Sequence, residues 1–369
     1  MPSVLKIQNN VRDGVVEFLS YLLKSKKVNG IFTLTKMNAD GAVSYSMITH
    51  PDELEKIDPL CPLMPVNAGR VLSDFSLQGA PKGPVAAVLH PCEMRAFVEL
   101  LKRAQGSREN MLLISMTCGG TFPIASSVKT SSNGGRPDYW KSVGAAEAVQ
   151  GLKPSCSICE HFTPQHADIT ISLVGEKDLE KECVLILNSA QGESFADGAP
   201  GSVTSGELKM EAYSKLQNVR KEQKSKIYQP LDPDGNGLKS MVKTFASCLS
   251  CHGCSKVCPI CTCNFCDFDS KTHESSPSNY TADLAVKGGT RVPSGTLLFH
   301  IGRMAHMAVS CVGCGMCSDV CPVNIPVSVL FNRVGESLQK EFDYVPGRDI
   351  EEPVPSGSFK EEEFKNVGE

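Results

Sequence analysis

Seventeen of the 369 residues are cysteine, and they are not spread evenly. Seven fall between Cys248 and Cys266, and four more between Cys311 and Cys321. The first group begins Cys248-x-x-Cys251-x-x-Cys254-x-x-x-Cys258-Pro259; the second reads Cys311-x-x-Cys314-x-x-Cys317-x-x-x-Cys321-Pro322. This is the spacing of paired [4Fe–4S] loops, in which the fourth Cys of each run ligates the other run's cluster. Two-residue spacers let a tight loop aim three thiolates at three irons, and the Pro turns the chain away. The spacing thus assigns Cys248, Cys251, Cys254 and Cys321 to one cluster, and Cys311, Cys314, Cys317 and Cys258 to another. Zinc competes for any Cys-x-x-Cys pair, but it needs neither a third Cys at the same spacing nor a second identical run.

Other thiols surround these runs. Cys261, Cys263 and Cys266 follow in Pro259-Ile-Cys-Thr-Cys-Asn-Phe-Cys266. They either help bind a further cluster with a fourth ligand from elsewhere, or are buried thiols, or hold a metal on a partner's side. Cys156 and Cys159 form a pair, while Cys61, Cys92, Cys118 and Cys183 are single. Roughly 45 residues separate the runs, and Leu297, Leu298, Ile301, Met304 and Met307 could line one face of a helix that delivers Cys311. Core packing explains that stripe. His300 and His306 read as covering or tuning a cluster rather than ligating one.

The elements that must position the remaining thiols lie in the first half. Val15, Phe18, Leu19, Leu22 and Leu23 recur at helical spacing. Gly30–Leu34 and Val85–Leu89 read as strands, Glu93–Ala104 as a helix, and Met111–Met116 as the next strand. Strand, helix, strand is the parallel crossover unit of an α/β sheet. It puts Cys92 and Cys118 just past the carboxyl ends of two consecutive strands, the edge where open α/β sheets bind ligands. Gly119 and Gly120 let the backbone come close to whatever is bound there. Redox thiol chemistry is the rival reading of Cys156-Ser-Ile-Cys159, but that motif would follow the first strand and open a helix. Cys92, Cys118, Cys156 and Cys159 together supply four thiolates for a third [4Fe–4S] cluster.

Composition bounds the rest. A net charge of −4 argues against nucleic acid as a partner. No apolar run approaches the 18–20 residues that span a bilayer, and no leader pattern opens the chain, so a cytoplasmic protein without a transmembrane segment is expected. Thiols stay reduced there, and metal ligation accounts for so many of them. The expected organisation is an α/β domain at 1–195 that binds a cluster, and a linker at 196–240 with a helix near Glu211–Gln223. A two-cluster domain at 241–347 and an acidic tail at 348–369 complete it. Asp232-Pro-Asp-Gly-Asn-Gly reads as a turn, since the spaced acidic end ligand of a calcium loop is missing.

Several of these residues resemble a known family. His90-Pro91-Cys92, Thr117-Cys118-Gly119-Gly120-Thr121, Cys156-x-x-Cys159 and Ala167-Asp168-Ile169 are similar to the β subunits of the deazaflavin-reducing hydrogenase and of formate dehydrogenase. Cys258-Pro-Ile-Cys-Thr-Cys-Asn-Phe-Cys266, the second run with Pro322-Val-Asn-Ile-Pro326, Phe331-Asn-Arg and Tyr344-Val-Pro-Gly347 are similar to the formate dehydrogenase β subunit specifically. The likeness implies a mixed sheet with helices, as in the hydrogenase β subunit, followed by a ferredoxin-like domain with two [4Fe–4S] clusters. It also implies FAD in the α/β half, with Gly119, Gly120, Thr121, Asp168 and Asn67 beside it. Cys92, Cys118, Cys156 and Cys159 would hold the flavin-proximal cluster. The implied partners are a catalytic α subunit holding molybdenum or tungsten in a pterin, which oxidises formate, and a soluble electron carrier such as a deazaflavin. At the first turn, Arg12-Asp13-Gly14 stands where relatives tend to carry a Cys followed by two glycines.

The expected function is therefore that of an iron–sulfur electron-transfer subunit of a formate dehydrogenase-type oxidoreductase complex, with no catalytic residue of its own. The alternative keeps the clusters and changes the partner to a hydrogenase or a heterodisulfide-reductase-type bifurcating assembly. A non-enzymatic cluster protein would carry a single labile cluster rather than three separate sites. His90 and Glu93 read as support for the Cys92 loop, and His161 and His166 as flavin-pocket or solvated loop histidines.

Overall fold

The computed structural model describes residues 2–37, 42–127, 137–231, 237–270, 276–288 and 295–358. In the first half, β1 (Ser3–Ile7), α1 (Val11–Lys24), β2 (Gly30–Lys36) and β3 (Val43–Ile48) lead into α2 (Ala68–Ser76), β4 (Val85–Val88), α3 (Pro91–Leu101) and β5 (Met111–Met116). Then come the short helices α4 (Ile124–Ser127), α5 (Pro137–Gly144) and α6 (Pro154–Ser157), followed by β6 (Ile169–Ser172), β7 (Cys183–Leu187), α7 (Ala190–Ala196) and β8 (Ser202–Ser205). The strands form one sheet in the order β3-β2-β4-β5-β6-β7-β1-β8. β2, β4, β5 and β6 run parallel, while β3, β7, β1 and β8 join antiparallel at the flanks.

The parallel centre follows from its residues. Every position of β4 and β5 is buried, as expected of strands covered on both faces. Leu112 and Ile114 pack on one face with Phe18, Leu19 and Leu22 of α1. Met111 and Leu113 pack on the other with Leu72 of α2 and Met94 and Phe97 of α3. The alternation is the two-residue period of a strand, so one chain segment feeds two cores. The mixed α/β sheet anticipated for this half is present.

The second half is helical: α8 (Met210–Tyr228), α9 (Gly237–Thr244), α10 (Gly253–Lys256), α11 (Pro277–Lys287), α12 (Thr296–Met307), α13 (Met316–Asp319) and α14 (Val327–Glu341). Its apolar core is small, built on Phe245, Met304, Ile325, Val327, Leu330 and Phe331, with cysteines of both runs packed against it. Two sequence expectations change here. The stretch 196–240, read as a linker with a helix near Glu211–Gln223, carries that helix as α8 and also contributes the edge strand β8. β8 was illegible because its Ser-Val-Thr-Ser residues are all exposed and carry no apolar alternation. On α12 the buried face is Phe299, His300, Arg303 and Met304, whereas Leu298 and Ile301 face solvent, so the supposed core stripe is rotated around the helix. The expected turn at 232–237 (apart from Gly237), the Ser/Gly-rich stretch at 131–135 and residues 359–369 of the tail lie outside the described residues. Among the described residues no helix is long and apolar enough to cross a membrane.

The halves are joined by a strap after α14. Gly347 lies against α3 with φ +72, and a side chain there would collide with the Arg95 backbone, so the close approach requires glycine. Glu99 of α3, fully buried, accepts from the Tyr344 hydroxyl, from Gly347 N at 2.9 Å and from Arg103 Nη1 at 3.0 Å, with Lys102 Nζ 3.3 Å away. Burial works against the Glu99 charge, but the Tyr344 hydrogen bond, Lys102 and the Gly347 amide outweigh it and hold its pKa below the ordinary value. A folded-state pKa that is lowered gives stability that is fully present above the unfolded value, about 4.3, and is lost as pH falls toward the folded one. Glu99→Gln should therefore unfold at lower urea than wild type at pH 7, and the difference should shrink below about pH 4.3. Urea titrations of the metal-free chain across that range check it; a constant difference would refute the role of charge.

Candidate metal centres

Each Cys-x-x-Cys-x-x-Cys run is a loop that ends on one helical turn, α10 or α13. Both loops need left-handed backbone at equivalent positions. The second run meets the demand with Gly313 (φ +70) and Gly315 (φ +79), the first with Ser250 (φ +54) and His252 (φ +56). Non-glycine residues in that region cost roughly 1–2 kcal/mol each, so the first loop is held open against local preference. His252 stacks on Phe299 at 4.0 Å, and Ser250 N donates to Cys248 Sγ at 3.4 Å.

The thiols meet across the two runs. Cys248, Cys251, Cys254 and Cys321 wall one cavity, with His300 beside them. Cys258, Cys311, Cys314 and Cys317 wall a second, with Arg303 and Asn332 at its side. Within each set the thiolates are close enough to repel one another. Burial, reinforced by that repulsion, pushes Cys254 and Cys311 up to about 11 and Cys314 to about 12, and raises Cys317 well above its ordinary value. Backbone and side-chain donors already face the sulfurs: Ile325 N to Cys321 Sγ at 3.3 Å and Arg303 Nη1 to Cys254 Sγ at 3.1 Å. His300 lies 3.5 Å by Nε2 from Cys248 Sγ and stacks on Phe245 at 3.7 Å. Burial, then the nearby Arg303 charge, lowers its pKa to about 3 and keeps the ring neutral at ordinary pH. His306 is exposed.

A third set forms in the α/β half. Cys92 follows β4, Cys118 follows β5, and the α6 turn brings in Cys156 and Cys159. Cys92 faces Cys118 and Cys156, and Cys118 faces Cys156 and Cys159. Burial and that crowding push Cys118 up to about 12 and Cys92 well above its ordinary value. Cys92 also faces Cys314, so this set adjoins the second cavity. The two halves touch where Gly315 lies against Ser155 and where Lys153 Nζ pairs with Asp319 at 2.8 Å.

Buried charged residues hold this set in place. Glu93, fully buried, accepts from His90 N at 2.8 Å, Ala68 N at 3.0 Å and the Tyr45 hydroxyl at 2.9 Å, and pairs with His90 Nδ1 at 2.8 Å. It thereby fixes the Cys92 turn to α2. Arg220 of α8 donates to the carbonyls of Cys159, Cys118 and Gly119 at 3.0, 3.1 and 3.0 Å. Arg95 of α3 reaches the Pro346 and Val312 carbonyls, with Cys159, Cys92 and Cys311 around its charge. Sequence reasoning missed Arg95, Arg220 and Arg303; for Arg95 alone a signal was available, a cation on an otherwise apolar helical face in Met94-Arg95-Ala96-Phe97.

The residues expected beside a flavin do not form one cradle. Gly119 and Gly120 abut Tyr139, Val143, Leu152 and Cys156, and Gly119 also lines a cavity of about 270 Å³ with Leu152, Ser157, Leu216 and Arg220. Thr121 Oγ1 lies 3.4 Å from Cys156 Sγ, on the cysteine loop. Asp168 precedes β6, at the opposite edge of the parallel strands, and its carboxylate is taken up by Leu113 N, the Ser189 hydroxyl and Arg108. Asn67 is fully buried as the N-cap of α2, its Nδ2 without a partner.

Of the remaining thiols, Cys261 adjoins the second set. Cys261 donates to Cys258, which lowers the pKa of Cys258 and raises that of Cys261. Cys263 is exposed and Cys266 half-buried, with Phe265 fully exposed between them. Cys61 and Cys183 are buried. Among the described residues no three His, Cys, Asp or Glu groups converge tightly enough for a single metal ion.

Comparison with known proteins agrees with the thiol pattern. Residues 244–325 match the model of a 4Fe-4S dicluster domain. The F420-dependent formate dehydrogenase subunit beta of Methanocaldococcus jannaschii is 25% identical, covering 91% of this chain and 92% of that one. The F420-dependent formate dehydrogenase 1 subunit beta of Methanococcus maripaludis is 27% identical, covering 96% and 95%. Over nearly its full length, the chain is similar to formate dehydrogenase β subunits. The anticipated resemblance thus holds, and the relatives are subunits of an oxidoreductase complex. A chain of the F420-reducing [NiFe] hydrogenase complex from Methanosarcina barkeri is also similar, at 13% identity and a TM-score of 0.42, covering 64% of this chain and 94% of that one.

Arg220→Ala would leave three carbonyls of the cysteine loops without their donor, at roughly 1–3 kcal/mol for each buried acceptor. The variant should lose at least about 3 kcal/mol of stability by that reckoning, and Arg220→Lys less, since one ammonium reaches fewer of the three. Urea unfolding of the α/β half, followed by fluorescence of Trp140, reads both; equal loss in the two variants would contradict the clamp.

Proposed function

We propose that this chain is the iron–sulfur electron-transfer β subunit of a formate dehydrogenase-type complex, passing electrons between a molybdenum- or tungsten-pterin catalytic subunit and a soluble carrier or further redox subunit. The observation that carries the reading is the convergence of twelve cysteines into three sets of four, the third adjoining the second at Cys92 and Cys314. Cys248, Cys251, Cys254 and Cys321 would hold one [4Fe–4S] cluster, and Cys258, Cys311, Cys314 and Cys317 another. Cys92, Cys118, Cys156 and Cys159 would hold a third.

The donor chemistry fits such groups. Buried thiols resist ionisation, and a bound metal's positive charge offsets the repulsion that four facing thiolates would otherwise suffer. Bound clusters supply one-electron transfer, with a potential set by ligand hydrogen bonds, burial and nearby charge. The chain's own residues do that setting: Ser250 N, Ile325 N and Arg303 donate to ligand sulfurs. Phe245, Phe331 and Val327 pack against Cys248, Cys254, Cys311, Cys317 and Cys321 and cover them in part. Asp168 and Thr121, implied beside FAD, are taken up within the protein, whereas Gly119 lines a cavity and Asn67 keeps an unpartnered amide, so no step is assigned to a flavin.

In domain terms, residues 1–195 would supply the third cluster and residues 241–347 the other two, with α8 bracing the first group. Anaerobically purified protein should carry about 12 irons per chain, four per cubane. Cys156→Ser should retain about 8 while keeping the other two clusters, by the same count. Zinc in place of iron would overturn the reading. When the chain is co-purified with its native partners, formate should bleach its visible absorption; bleaching by hydrogen but not by formate would move it to a hydrogenase.

A further inference from the structure

Arg303 occupies an unusual position for a cation. It is buried, with 4% of its surface exposed, on the inner face of α12. Nη1 donates to Cys254 Sγ and Nη2 to the Cys254 carbonyl, both at 3.1 Å. Its guanidinium lies over Phe331 and Phe299, 4.9 and 5.5 Å from their ring centres, so its flanks are apolar rather than wet. The third nitrogen, Nε, is buried without a partner. The same side chain lines the cavity walled by Cys258, Cys311, Cys314 and Cys317. The groups that face its charge are Cys254 of the first set, Cys258 and Cys317 of the second, and Cys261 beside Cys258. Among the described residues no carboxylate pairs with it.

Leaving one charge buried and uncompensated is strongly unfavourable. The cationic head of Arg303 is therefore out of balance until negative charge arrives beside it. A cubane with four thiolates is net negative, and becomes more so on reduction. We propose that Arg303 is an electrostatic element shared by the two second-half clusters, its single positive charge favouring the reduced form of both. The inference rests on the iron–sulfur reading above and concerns only this side chain's effect on two equilibria. A residue serving one loop would move one potential; a charge shared between two sets moves both in the same direction. Arg95 sits in the corresponding place between the third set and Cys311, so Arg303 should leave the α/β-half cluster unmoved.

The test is an anaerobic potentiometric titration of the full chain, followed by EPR, on wild type, Arg303→Met, Arg303→Gln and Arg303→Lys. With iron content matching wild type, Arg303→Met and Arg303→Gln should lower both second-half midpoints by at least tenfold in the reduction equilibrium, 59 mV for one electron. Arg303→Lys, which keeps the charge, should stay closer to wild type than either. Unchanged midpoints in an iron-replete uncharged variant would overturn the proposal, as would a shift in only one cluster. If both uncharged variants lose iron while Arg303→Lys keeps it, the potential-setting role is likewise overturned in favour of assembly alone. A wild type without iron would instead remove the iron–sulfur reading itself, a result that is distinct from all of these.

Discussion

The structure turns on one constraint: the twelve thiols of the three sets, all but Cys251 at least half-buried, face neighbouring thiols whose charged forms repel one another. Burial by itself favours the neutral thiol, as the raised pKa values of Cys92, Cys118 and Cys314 show. The fold prepares for the charged form all the same. Amides from Ser250 and Ile325 point at sulfurs, and Arg95, Arg220 and Arg303 are buried where thiols or their carbonyls surround them. Such an arrangement is costly for an empty protein and favourable for one that holds metal, which is the usual coupling of metal binding to folding.

The two halves contribute in different ways. The α/β half is a sheet with a core on each face, and its stability comes from apolar packing. Cys92 and Cys118 lie just past the carboxyl ends of β4 and β5, strand ends that the core fixes. The second half has six buried apolar side chains at its centre and depends on its loops. The strap at Tyr344–Gly347, anchored on Glu99, and the contact of Gly315 with Ser155 bring the halves together where Cys92 faces Cys314. In the second half, one loop holds Ser250 and His252 in left-handed backbone, against their local preference.

Much of this was legible beforehand because cysteine spacing reports loop geometry directly. The crossing of Cys258 and Cys321 between runs, and the strand ends beneath Cys92 and Cys118, follow from spacing and from apolar runs such as Met111–Met116. What was illegible has physical reasons as well. Cations on helices are ordinarily solvated, so nothing local distinguished Arg303 or Arg220 from surface residues. β8 has no apolar face to announce it, since it extends the sheet by backbone hydrogen bonds to β1 alone. The rotated face of α12 followed from the same oversight: the helix turns its aromatic and charged residues toward the cysteines, leaving Leu298 outside. Asp168 was placed beside a ligand by resemblance, whereas hydrogen bonds to Leu113 and Ser189 give it a structural part in joining β5, β6 and α7.

The most direct measurement is anomalous diffraction from anaerobically grown crystals, recorded on either side of the iron edge. The account predicts three separate iron peaks: one ringed by Cys248, Cys251, Cys254 and Cys321, one by Cys258, Cys311, Cys314 and Cys317, and one by Cys92, Cys118, Cys156 and Cys159. Peaks at the zinc edge instead, or iron bound with each run keeping its own fourth cysteine, would contradict it.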